Sequence, residues 1–255
     1  MKPKISLINS TPNPIETMCF AHRVMHSAVP NSITELKQHP LMYLGMKINN
    51  YFNAMLKKDG MPTFLEYVSF VFKLDNVSRA LTHQLVRHRI GFSYSQQSLR
   101  CVDLPNFADN KAYHNPYKEG TLDAGEYHHY MVKTQERYRA ALKAGMSTQD
   151  ARGLLPINIQ TTITFSCTLR ALIGMVNKRL CKKTQQEFHS VALEIMEAVG
   201  KIDSKLLHWF KKPCVNGKCM MEAENSKQFD EGKITGKQNT DHCCDIYLKK
   251  YTALK

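Results

Sequence analysis

Residues 87–100 read Arg87-His88-Arg89-Ile90-Gly91-Phe92-Ser93-Tyr94-Ser95-Gln96-Gln97-Ser98-Leu99-Arg100, and the rest of the chain is best read outward from them. Three consecutive cationic or protonatable side chains precede a tight turn rich in hydroxyls and amides, which a further Arg closes. Guanidinium forks grip phosphate in bidentate fashion, while Ser and Gln orient a neutral ring by hydrogen bonds. A solvated basic surface would use Lys more often and scatter its charges. The pattern points to a pocket for a mononucleotide or dinucleotide.

Upstream, Val68, Phe70, Phe72 and Leu74 alternate with Tyr67, Ser69, Val71 and Lys73. This is the period-two signature of a strand with one buried face, and it places Tyr67 and Ser69 on the other face. Asp75-Asn76 is expected to end the strand and cap a helix starting at Val77. Val77, Leu81 and Leu85 would form its apolar stripe, while Gln84, Arg87 and His88 share a neighbouring face. An amide, a guanidinium and an imidazole thus reach one place, immediately before the Gly91 turn.

Downstream, Pro105 to Gly125 reads as loop. A long amphipathic helix is expected from about Glu126 to Lys143, with Tyr127, Tyr130, Met131, Thr134, Tyr138 and Ala141 on one side. Ser147-Thr148-Gln149-Asp150 can cap a short turn carrying Arg152, which Pro156 ends. Ile157, Ile159, Thr161, Ile163 and Phe165 alternate as a second strand. Thr168 is placed to cap a helix with the stripe Leu169, Leu172, Ile173, Val176 and Leu180. Arg170 and Arg179 flank that stripe on opposite sides, and Gly174 leaves the face beyond Arg170 bare. Phe188, Val191, Ile195, Val199, Ile202 and Leu206 mark a last helix, ending near Trp209-Phe210. At the other end, Lys4 to Ile8 reads as a short strand. Pro14 to about Tyr51 reads as helical, with a break at Val29-Pro30-Asn31-Ser32.

Composition bounds the function. The chain has 255 residues, 43% of them hydrophobic, enough for one good core, or a core with an appendage. No run approaches the roughly 18 apolar residues of a membrane span. Met1-Lys2-Pro3-Lys4-Ile5-Ser6-Leu7-Ile8 turns polar too soon for a signal peptide, so a cytoplasmic protein is expected. The formal net charge of +13 attracts anions, whether nucleic acid or small phosphorylated molecules. Cys19, Cys101, Cys167 and Cys181 are scattered through the body as reduced core thiols usually are. Beyond Lys211 polar residues, Gly and Lys dominate, so the core is expected at 1–212 with a basic Cys-containing extension at 213–255. Cys214, Cys219, His242, Cys243 and Cys244 there could supply ligands for zinc, but their spacing is not that of a standard finger. No metal is expected; a flexible basic extension is the simpler reading.

Together the motifs resemble a family. Arg87-His88-Arg89, followed by Phe92-Ser93-Tyr94-Ser95-Gln96-Gln97-Ser98 and Arg100, resembles the signature of the flavin-dependent thymidylate synthases. A second block looks like the C-terminal half of that family in order and spacing: Ala151-Arg152-Gly153-Leu154-Leu155-Pro156, then Leu169-Arg170 and Arg179, then Thr184-Gln185-Gln186-Glu187. Two blocks in register are far more specific than either alone. The sequence also departs from the family. One extra residue separates Arg89 from Ser98, Tyr67 stands at a family His, Thr168 at an Asn, and Gly174 at an Asn or His.

The resemblance implies an α+β fold of a single domain, with a mixed or antiparallel sheet and long helices, assembled as a homotetramer with shared active sites. It implies methylation of dUMP to dTMP, with 5,10-methylenetetrahydrofolate as carbon donor and FAD, reduced by NADPH, as hydride source. Ser69, Arg87, His88, Arg89, Ile90, Gln96, Thr168, Arg170 and Gly174 would line the FAD site. Gln84, Arg87, Gln96, Gln97, Ser98, Leu99, Arg100, Arg152 and Arg179 would hold dUMP, with Arg179 as the catalytic group. Ser98 has no His–Asp pair near it in sequence, so it reads as orienting a ligand rather than attacking one. The departures keep a second reading open, a related flavin- and folate-dependent hydroxymethylase of pyrimidine nucleotides. A reading from another class is a basic nucleic-acid-binding module.

Overall fold

The alternation around Phe72 builds the centre of a sheet. The computed structural model describes residues 2–26, 32, 34, 47–58, 62–181 and 184–211. The break expected around Val29-Pro30-Asn31 and the extension at 213–255 lie outside the described residues. Four strands among the described residues form one sheet: β1 (Lys4–Ser10), β2 (Ser69–Ser78), β3 (Phe92–Gln96) and β4 (Gln160–Thr168). Their order is β1-β2-β4-β3, and every neighbouring pair is antiparallel. The helices of the first part are α1 (Pro14–His26), α2 (Ile48–Lys58), α3 (Arg79–Leu85), α4 (Leu122–Lys143) and α5 (Thr148–Ala151). They are followed by α6 (Leu169–Arg179) and α7 (Gln186–Ile202). The fold is α+β with an antiparallel sheet.

The chain divides into two compact units, Met1–Ala171 and Leu172–Lys255. In the first, Phe70, Phe72 and Leu74 of β2 and Ile163, Phe165 and Cys167 of β4 are buried on one face. Phe72 and Phe165 lie 5.5 Å apart between ring centroids, and Phe92 and Tyr94 of β3 extend the aromatic row. Phe72 and Phe165, the fully buried rings of this row, each contribute about 1.5–3 kcal/mol relative to an exposed one. The opposite face carries Lys73 and Asp75 beside Thr162, Thr164 and Ser166, all partly exposed. A smaller apolar cluster, formed by Phe107, Ala108, Tyr113, Met131 and Ile159, ties the Pro105–Gly125 loop to α4. In the second unit the apolar stripe of α7 is buried at Phe188, Val191, Ile195 and Val199, and the short turn Ser204–Trp209 follows it.

Four expectations need correction. Asp75-Asn76 does not end β2. The pair forms a bulge in the β2–β4 register, with Asn76 left-handed at φ 58°, and the strand runs on to Ser78. The helix therefore begins at Arg79, and Ser78 is its cap, accepting the Leu81 N–H at 3.0 Å. Val77, read as helical, is a buried strand residue. The turn read after Gly91 is instead the edge strand β3, whose Phe92-Ser93-Tyr94-Ser95 alternation is masked by hydroxyl-bearing residues. Finally, β4 starts at Gln160, and Ile157 is 59% exposed outside it. The long helix also starts a turn early, at Leu122, with Thr121 capping the Ala124 N–H.

Candidate active site

The bulge and the cap at Ser78 turn the chain out of the sheet, and seven residues of α3 later it reaches Arg87-His88-Arg89. Leu85 and Leu81 anchor α3 in the core, so the cationic triplet is carried outward from its end. Arg87 and Arg89 are exposed and His88 is half-buried. The last carbonyls of a helix have no partner within it. Here the Tyr94 hydroxyl, 2.9 Å from the Leu85 carbonyl and 2.7 Å from that of His88, donates to them. Burial pushes the Tyr94 phenol well above its ordinary value, so it remains a proton donor. Removing it in Tyr94→Phe leaves both carbonyls short of that donor. We expect a loss of about 1–2 kcal/mol in urea unfolding. Unchanged stability would show that Tyr94 does not hold this turn.

Two groups of the expected residues come together in the first unit. Gly91 receives the Thr168 N–H on its carbonyl at 3.2 Å, and Ser69 pairs with Thr168 across the β2–β4 ladder. Thr168 Oγ1 accepts the Ala171 N–H at 3.3 Å, as expected for a cap. Ser69 also shares a hydroxyl hydrogen bond with Thr11. Arg170 meets Glu66 at 3.5 Å, an exposed pair that contributes little to stability. Ile90 is 93% exposed and Tyr67 is 62% exposed, an unusual display of apolar surface next to cations.

The second group lies along α3 and the turn after β3. Gln96 donates to the Thr82 hydroxyl at 3.0 Å, and that hydroxyl donates to the Arg79 carbonyl at 3.1 Å. Gln84 donates weakly to the Ala80 carbonyl. The Gln97 N–H is held by the Thr162 carbonyl at 2.9 Å, and Ser98 Oγ accepts the Arg100 N–H at 3.2 Å. Gln97, Ser98 and Arg100 are exposed, whereas Leu99 is buried and leaves only its backbone to a ligand. Ser98 has no hydrogen-bonded base among the described residues. Arg152 is exposed on the short turn Arg152–Leu154. None of Arg87, Arg89, Arg100 and Arg152 is ion-paired among the described residues.

Gly174 and Arg179 belong to the second unit. A Cβ at Gly174 would meet open space, so packing does not require the glycine. Arg179 is half-buried with its guanidinium 4.5 Å from the centroid of the Phe188 ring. Burial lowers its pKa from the ordinary value, although a guanidinium stays charged at neutral pH.

Two residues that hold the site escaped the sequence reading, Tyr94 and Arg79. Arg79 Nη2 donates to the Gln97 carbonyl at 2.8 Å, clamping α3 to the turn that presents Ser98 and Arg100. A signal existed: a cation in the first turn opposes the helix dipole and needs another reason to be there. Two of the cysteines are inert by comparison. Cys19 and Cys167 are buried, and burial pushes each thiol up to about 12. Among the described residues no cluster of His, Cys, Asp and Glu could hold a metal ion, and no helix is long and apolar enough to cross a membrane.

The chain matches the family model described as thymidylate synthase complementing protein over residues 6–203. It is 34% identical over 236 residues to the flavin-dependent thymidylate synthase of Clostridium tetani, covering 86% of this chain and 91% of that one. To the flavin-dependent thymidylate synthase of Geobacter sulfurreducens it is 30% identical over 221 residues, covering 85% and 90%. Thymidylate synthase X from Helicobacter pylori, solved with FAD and dUMP, shares the fold. Its TM-score is 0.61 at 16% identity, over 82% of this chain and 99% of that one.

Proposed function

The chain belongs to the flavin-dependent thymidylate synthase family, and from that membership we propose that it methylates dUMP to dTMP. 5,10-Methylenetetrahydrofolate is the carbon donor, and NADPH reduces the enzyme. The catalytic domain spans 1–212, with 213–255 appended as a basic extension. The enzyme is cytoplasmic and works as a homotetramer whose sites draw residues from more than one subunit.

The observation that carries this proposal is the joining of the two signature turns. Tyr94 holds the Arg87–Arg89 turn, Arg79 and Gln96 hold the Gln96–Arg100 turn, and the cations of both face solvent without counter-ions among the described residues. The first group of residues fits a flavin dinucleotide in chemistry. Arg87 and Arg89 suit a diphosphate, while the exposed side chains of Ile90 and Tyr67 suit the flat face of a ring. Ser69, His88, Gln96, Thr168, Arg170 and Gly174 complete that side. When bound, FAD supplies hydride chemistry. Gln84, Arg87, Gln97, Ser98, Leu99, Arg100, Arg152 and Arg179 hold the nucleotide.

Methylation at C5 of uracil needs that carbon to become nucleophilic. Arg179 meets this need by polarising the N3–O4 side of the ring, where its permanent charge stabilises developing enolate character. Gln96 and Gln97 orient the base, and Arg100 and Arg152 fix the phosphate end. Ser98 steadies the turn through the Arg100 N–H.

Mass spectrometry of the product tests this function. Protein incubated with dUMP, methylenetetrahydrofolate, FAD and NADPH should be yellow and yield dTMP. A hydroxymethylated nucleotide in place of dTMP would replace methylation with the related one-carbon transfer. A colourless protein with tight, salt-sensitive RNA or DNA binding and no nucleotide product would overturn the proposal.

A further inference from the structure

Arg179 ends α6, in a last turn that also carries Lys178, so the helix dipole favours its charge there. The backbone of that turn is fixed from both sides, all within the second unit. Asn177 donates through Nδ2 to the Trp209 carbonyl at 2.9 Å and accepts the Lys211 N–H on Oδ1 at 2.8 Å. On the other side the Thr184 hydroxyl donates to the Lys178 carbonyl at 3.4 Å, which ties the approach to α7 back to the end of α6. These bonds do not settle where the long Arg179 side chain points. Neither the dipole nor the turn asks for one rotamer of it.

The first turn of α7 makes that choice. Phe188 is fully buried and heads the apolar stripe that continues through Val191 and Ile195, so its ring is held by close packing. The Arg179 guanidinium carbon lies over this ring, 4.5 Å from its centroid, where the negative face of an aromatic ring attracts a cation. Stacking engages the flat face of a guanidinium, whereas its N–H groups lie in the plane and point elsewhere. A carboxylate used to orient the same side chain would occupy those N–H groups and offset the charge that the reaction needs. The ring also keeps water from one face of the cation, and a charge short of solvent acts more strongly on a developing enolate.

We propose that Phe188 is a positioning residue for the reaction, its ring holding the Arg179 guanidinium in the orientation that polarises the pyrimidine. The proposal rests on the assignment of Arg179 as the group that acts on the ring of dUMP. It adds a buried residue that acts only through Arg179. A Phe that merely filled space could be exchanged for another apolar side chain of its shape without loss of turnover. A Phe that orients a cation works through the charge distribution of its ring.

The test is steady-state turnover of dUMP by the FAD-loaded protein, with the melting temperature followed beside it. Phe188→Leu keeps an apolar side chain but has no ring face. It is expected to lower kcat about 5- to 30-fold and to leave KM for dUMP within about threefold of the wild type. Trifluorophenylalanine in place of Phe188 keeps nearly the same shape and withdraws charge from the ring face, so it decides the matter even if Phe188→Leu unfolds. Its kcat is expected to fall about threefold or more at an unchanged melting temperature. In an Arg179→Ala background, Phe188→Leu should change the residual turnover by less than about twofold. The proposal is overturned if the fluorinated protein turns over as the wild type does, or if folded Phe188→Leu loses only KM. It is equally overturned if the losses from Phe188→Leu and Arg179→Ala multiply. Normal turnover by Arg179→Ala alone would instead refute the role of Arg179, and no dTMP from the wild type would refute the proposed function.

Discussion

Arg179→Ala is expected to lower kcat for dTMP formation by about 100- to 1,000-fold while the chain keeps its fold. The guanidinium sits over the Phe188 ring, half-buried, so its position is set before any ligand arrives. A fixed charge in a partly desolvated place stabilises developing negative charge far better than a mobile one in water. No cysteine adds to C6 in the proposed mechanism, so polarisation of the ring bears the whole burden of activating C5. Losing the contact with Phe188 costs only about 0.5–1 kcal/mol, too little to unfold the protein. Arg179→Lys should fall between the two, because it keeps the charge but not the planar fork. Steady-state turnover at saturating dUMP, beside a thermal melt of each variant, checks this. Normal turnover in the alanine variant would remove Arg179 from its role.

The second large effect concerns the glycine between the signature turns. Gly91→Ala should lower stability by about 2–5 kcal/mol and abolish flavin retention. Gly91 adopts φ +73°, where a side chain is strained. Its added Cβ would also lie 2.8 Å from Ala171 Cβ and 3.2 Å from Thr168 Oγ1. A Cβ cannot rotate away, so the backbone has to move. The first contact to suffer is the Thr168 N–H bond to the Gly91 carbonyl, which joins the cationic turn to the head of α6. At roughly 2–4 °C per kcal/mol, the melting temperature should fall by about 4–20 °C. A variant that melts with the wild type and stays yellow would show that the turn tolerates a side chain.

The signature stretch and the two apolar alternations were legible because each has a physical cause that local sequence records. Buried strand faces need an apolar side chain such as Phe72 or Phe165 at every second residue, and the signature stretch keeps its clustered guanidiniums in one local run. Asp75-Asn76 misled because Asn favours both helix caps and left-handed bulges, and only pairing with β4 selects the bulge. β3 was hidden because an edge strand rich in Ser carries little apolar contrast. Arg79 was missed because its value lies in a contact with the Gln97 carbonyl, 18 positions away, which no local pattern encodes. Tyr94 escaped for the same reason, since its partners are backbone carbonyls of the preceding helix end.

The most direct measurement is a crystal structure of the protein with FAD and dUMP bound. The guanidiniums of Arg100, Arg152 and Arg179 should lie within about 3 Å of the nucleotide, whichever subunits supply them. The flavin ring should lie against the base, beside the Arg87–Ile90 turn. A complex in which those three arginines point to bulk solvent in every subunit pairing would contradict it.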